Sequence, residues 1–213
     1  MKKVVLALFL MVMSINMIAS HIVGGNLEIK KISETATDGR FDVRIVGYRD
    51  CSGINFNPDQ IDVFDAVTGA HVLSEYNLQQ VSVTPMVQAT NCSQCIEKWV
   101  YKAEITLPNN PNGYTIVFDE CCRNGITTNL QSPSSTDYTF YAKIADPDLI
   151  PLNNMSPSFS SYPSNGYFCI GQTSDIDLNV DFSTQNQEGD SLVFSLTNPL
   201  SSYSSGNFYQ QQY

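Results

Sequence analysis

The strongest constraint in this chain is a repeated period-2 alternation. Trp99, Tyr101, Ala103, Ile105 and Leu107 are interleaved with Lys98, Val100, Lys102, Glu104 and Thr106. Phe41, Val43 and Ile45 alternate with Asp42 and Arg44, and Tyr138, Phe140, Ala142 and Ile144 with Thr139, Tyr141 and Lys143. Ile176, Leu178, Val180 and Phe182 alternate with Asp175, Asp177, Asn179 and Asp181. Successive side chains of a strand point to opposite faces, so each run reads as a strand with one buried face and one wet face. Shorter runs at 61–64, 114–118 and 192–196 join them. No stretch sustains the i, i+3, i+4, i+7 stripe of an amphipathic helix. Turn signals separate the runs: Thr37-Asp38-Gly39, Asn57-Pro58-Asp59, Thr68-Gly69 and Pro108-Asn109-Asn110-Pro111-Asn112-Gly113. Strands at this spacing predict antiparallel β-sandwiches. Pro and Asn cluster after Asp146, which sets the expected boundaries: one sandwich over 21–146 and a second, incomplete one over 147–213.

The first 20 residues read as an export signal. Lys2 and Lys3 precede an apolar run from Val4 to Ile18, and Ala19-Ser20 supplies small residues for cleavage before His21. The run is short for a bilayer span, and no later segment approaches one. The cleavage point carries no cysteine for a lipid anchor. Losing Lys2 and Lys3 takes the net charge from −10 to −12. So acidic a chain repels phosphate backbones, which argues against nucleic acid as a partner.

An exported chain with an even number of cysteines is expected to form disulfides. The six are Cys51, Cys92, Cys95, Cys121, Cys122 and Cys169. Cys51 shares parity with Phe41, Val43 and Ile45, and Cys122 with Ile116 and Phe118. If those faces meet in one core, Cys51 pairs with Cys122. Cys92 and Cys95 then close a small loop, and Cys121 and Cys169 tie the two parts together. Cys92-x-x-Cys95 has zinc-ligand spacing, but it lacks a second pair or a nearby histidine. Arg49, Asp50, Arg123 and Asn124 flank the cysteine blocks and are read as a structural polar cluster.

Catalytic constellations fail on inspection. His21-Ile22-Val23-Gly24-Gly25 and Gly189-Asp190-Ser191 imitate trypsin-like blocks, but His71 is the only other histidine and has no matching setting. Asp175, Asp177 and Asp181 alternate along one strand face and read as solvated carboxylates, not a glycosidase pair. Asp181, Glu188 and Asp190 are calcium candidates if 183–189 loops back. No cofactor is otherwise implied. Some of the 11 tyrosines and 11 phenylalanines are candidates for stacking on sugars, although most lie in strand register.

In order along the chain come the export signal, His21-Ile22-Val23-Gly24-Gly25, Tyr48-Arg49-Asp50-Cys51-Ser52-Gly53, Gly113-Tyr114-Thr115-Ile116-Val117-Phe118, Cys121-Cys122-Arg123-Asn124, Phe168-Cys169-Ile170 and Gly189-Asp190-Ser191-Leu192-Val193-Phe194. This order resembles the N-terminal region of large secreted surface proteins of Bacteroidota, the gliding-motility-associated or type IX-sorted kind. The resemblance implies an Ig-like sandwich followed by a PKD- or cadherin-like one, as the front of a longer polypeptide. It also implies a non-catalytic role in surface attachment or gliding motility, with cell-surface glycans or proteins as partners. Gln185-Asn186-Gln187-Glu188-Gly189-Asp190 departs from the family's acidic block, which weakens the calcium expectation. Asp190-Ser191-Leu192 fits the family's O-glycosylation pattern, making Ser191 a glycan candidate. The alternative expectation is a carbohydrate-binding module.

Overall fold

The computed structural model describes residues 22–51, 53–85, 95–121, 123, 130–157, 195, 197–204 and 206–210. Eight strands make two antiparallel sheets of four. The first contains β1 (Ile22–Glu34), β2 (Asp38–Asp50), β6 (Ile96–Pro108) and β5 (Gln79–Pro85), in the order β1-β2-β6-β5. The second contains β4 (His71–Glu75), β3 (Ile61–Asp65), β7 (Tyr114–Glu120) and β8 (Tyr138–Ile144), in the order β4-β3-β7-β8. The chain changes sheet between β2 and β3, returns between β4 and β5, and crosses again between β6 and β7. That is the Ig-like arrangement, A-B-E-D packed on C-F-G with one added edge strand.

The alternating residues do what their spacing requires. Phe41, Val43 and Ile45 of β2 and Tyr101, Ala103, Ile105 and Leu107 of β6 form one core with Ile61, Val63, Ile116 and Phe118 of the facing sheet. Each large side chain buried this way contributes on the order of 1.5–3 kcal/mol. Phe56, between β2 and β3, closes one end of this core. Its ring meets Tyr101 and Phe118 edge-on at 5.6 and 5.8 Å, and its carbonyl accepts the Tyr101 hydroxyl at 2.7 Å. Gly47 is needed beneath it, because an added Cβ would lie 2.6 Å from the Phe56 ring. Phe56 thus marks the end of the sandwich where β2 and β7 finish and β6 begins.

The opposite end carries an Ig hallmark. Tyr114 opens β7, is buried, and its hydroxyl donates to the Pro108 carbonyl at 2.8 Å, a tyrosine corner between β6 and β7. Alternation on β2 breaks down near its far end, where Val46 and Tyr48 on the other face are also buried and pack with Ile96.

Residues 147–157 stay attached to the first sandwich. Asn154 and Ser156 pair with Lys31 and Ile29 along the outer edge of β1. Lys31 points inward and is only 1% exposed. Its ammonium donates to the carbonyls of Pro147 and Ile150 at 2.8 and 2.7 Å and pairs with Glu34.

The stretch from Ser201 onward supplies most of the hairpin β9 (Leu200–Ser204) and β10 (Asn207–Gln210). Tyr203 and Phe208 dock it on the outer face of the second sheet, against Phe64 at 4.6 Å and Tyr141 at 4.1 Å respectively. The alternating run at 176–182 lies outside the described residues. Among those described, no helix is long and apolar enough to cross a membrane.

Candidate functional site

The two cysteine blocks sit at the Phe56 end of the sandwich. In the β2–β6 ladder Asp50 lies opposite Ile96, so one more step places Cys51 opposite Cys95. Their Cα atoms are 5.3 Å apart, they are disulfide-bonded, and the Cys51 amide donates to the Cys95 carbonyl at 3.0 Å. This corrects the expected Cys51–Cys122 and Cys92–Cys95 pairings. Shared parity with the core faces suggested a bridge between sheets. The strand register instead makes the bond a bridge between neighbours in one sheet. Cys121 is also disulfide-bonded. Cys92, Cys122 and Cys169 lie outside the described residues.

Around this bond the polar groups serve the main chain. Arg49 is 5% exposed, and its guanidinium donates to the Cys51 and Gly53 carbonyls at 3.0 and 2.8 Å and to Glu97 Oε2 at 3.0 Å. The same Glu97 oxygen accepts the Trp99 indole N–H at 3.0 Å, and the guanidinium carbon lies 5.1 Å from the Trp99 ring centre. The Arg49 fork is therefore fixed by an acid, an aromatic face and two carbonyls, a pattern lysine cannot reproduce. Arg123 acts alike on the other block, donating to the Asp137 carbonyl at 3.2 Å and the Leu200 carbonyl at 2.6 Å. Burial draws its pKa below the usual arginine value. Arg49 and Arg123 thus serve different connections and do not converge. Asp50 sits at the end of β2, and Asn124 lies outside the described residues.

Between the blocks, Glu120 ends β7. Burial, then the nearby charges of Asp59 and Asp137, push its pKa up to about 7. Among the described residues, no group of three or more His, Cys, Asp or Glu is arranged to hold a metal ion. The calcium candidates Asp181, Glu188 and Asp190, and the glycan candidate Ser191, lie outside the described residues.

The structure also assembles a serine, a histidine and an aspartate that sequence spacing did not reveal. His71 Nε2 lies 3.0 Å from Ser74 Oγ and 3.4 Å from Asp62 Oδ1. The arrangement is unlike a catalytic relay. The Ser74 hydroxyl donates to Asp62 directly, and one ring nitrogen faces both partners, whereas a triad uses the two nitrogens for the two neighbours. The cluster ties β3 to β4 on a solvent-facing edge.

At the tyrosine-corner end, Asp65 gathers the amides of Val67 and Thr68 and the side-chain amides of Asn110 and Asn112, all within 3.2 Å. Those hydrogen bonds, led by the Thr68 amide, hold its carboxylate well below the usual range. The result is a knot between the β3–β4 and β6–β7 turns. A shallow depression of about 230 Å³ lies on the outer face of the first sheet, lined by Glu28, Lys30, Asp42, Arg44 and Met155. Arg44 is already paired with Asp42 there at 3.1 Å.

Comparison with family models, with curated proteins and with solved structures found no match.

Proposed function

We propose that this protein is an exported, non-catalytic scaffold of the cell surface with a structural or adhesive role. The observation that carries the reading is the construction of the cysteine-bearing end. A disulfide ties β2 to β6 there, and the buried guanidinium of Arg49 is spent on the main chain of the β2–β3 connection. Such chemistry fixes loops in place and suits an oxidising compartment. The N-terminal export pattern and the strongly acidic balance support the same reading. The partners proposed are glycans or proteins of a surface, met by the rigid ends and edges of the sandwich.

The test is fractionation of producing cells, protease shaving of intact cells, and alkylation of thiols before and after reduction. The expected result is a mature chain starting at His21, cleaved by external protease and unreactive to alkylation until reduced. Cells lacking the chain should attach less to surfaces than those producing it. Retention in the cytosol with alkylatable Cys51 and Cys95 overturns the proposal.

A further inference from the structure

We propose that β5 is a self-pairing edge, through which two copies of this chain join antiparallel about a two-fold axis at Ser82. The edges of the sandwich are not treated alike. The outer edge of β1 is occupied by residues 154–156. The edge strand β4 is five residues long and carries His71 and Glu75, and β8 carries Lys143. Short length and charge guard those edges, whereas the guards on β5 are the bulge at Val81 and Pro85 at its last position. Strand β5 runs seven residues, Gln79–Pro85, with no charged side chain. Its hydrogen bonding among the described residues is confined to the β6 side.

The absence of charge extends well beyond the strand. None of the chain's 11 basic, 21 acidic or 2 histidine residues falls between Tyr76 and Ile96. A chain of net charge −10 repels its own copies over most of its surface. The uncharged residues 77–85, which include all of β5, are where two copies approach at least cost. The strand itself exposes apolar side chains, Val81 at 54% and Val83 at 40%, and Tyr76 before it is 66% exposed. The register on β6 jumps between Gln80 and Ser82, so Val81 is the extra residue of a bulge, which re-aims its side chain.

The occupant follows from the order of residues. Gln80-Val81-Ser82-Val83-Thr84 reads nearly the same in both directions. Antiparallel pairing centred on Ser82 sets Val81 against Val83 twice, Gln80 against Thr84 twice, and Ser82 against itself. Apolar meets apolar and amide meets hydroxyl, as a two-fold contact requires. The inference rests on this edge alone and does not depend on export.

Sedimentation velocity on the purified chain tests it, from about 1 to about 300 µM, the range expected of so short a contact. The wild type should shift toward dimer as concentration rises. Val81→Lys and Val83→Glu should each weaken dimerisation at least tenfold with unchanged far-UV circular dichroism. Mixing the two variants should restore the dimer, since Lys at 81 of one copy then faces Glu at 83 of the other. A wild type that stays monomeric throughout overturns the proposal, and so does a dimer that neither variant weakens.

Discussion

Glu120 shows how one side chain couples this fold to pH. Its carboxyl would lose its proton near pH 4.5 in the unfolded chain, whereas burial and the charges of Asp59 and Asp137 delay this to about 7 in the folded one. Between those values the folded state binds more protons than the unfolded state, so stability falls as pH rises. The loss begins near pH 4.5 and is complete above about 7. Replacing Glu120 with Gln removes the titration. In urea denaturation from about pH 4.5 to about pH 8, the wild type should lose on the order of 1–2 kcal/mol relative to Glu120→Gln. A difference between the two that does not change with pH would contradict the assignment.

At the scale of elements, the β6–β7 corner depends on Tyr114. Its hydroxyl is the donor to the Pro108 carbonyl, and its ring is buried. Tyr114→Phe keeps the ring and strips the donor, leaving that carbonyl without it. The expected cost is about 1–2 kcal/mol in chemical denaturation, with the m-value unchanged. A cost below about 0.3 kcal/mol would mean that water replaces the bond. Strands such as β2, β6, β7 and β8 were legible in the sequence because their faces separate cleanly into apolar and polar. Strand β1 was not, since Lys31 occupies an inward position and satisfies its charge with carbonyls more than a hundred residues away. Strand β5 alternates only over Val81 and Val83, too short a run to stand out, and both are exposed at an edge. Arg49 was legible as structural, but Glu97 and Trp99 as its partners were not, because the β2–β6 register brings them to it. The cysteine pairing failed for the same reason: parity specifies a face, and register specifies a neighbour.

At the scale of the whole molecule, the Cys51–Cys95 bond closes a loop over a sequence separation of 44 that contains β3, β4 and β5, the strands on which the chain crosses between sheets and back. Restricting a loop of that length in the unfolded chain contributes about 4 kcal/mol by the chain-entropy estimate. The double variant Cys51→Ser, Cys95→Ser should lose about 3–4 kcal/mol, and non-reduced peptide mapping of the wild type should join Cys51 to Cys95. A Cys51–Cys122 peptide in that map would refute the strand register. The path of the chain has a mechanical consequence. Ile22 enters β1 at the disulfide end, and residues 154–156 run antiparallel to β1, heading back toward that end. A pull applied between these two points therefore peels residues 156 to 153 from β1 one hydrogen bond at a time. Next in line stand the bonds from the Lys31 ammonium to the Pro147 and Ile150 carbonyls, the last ties of this segment to the inward face of β1.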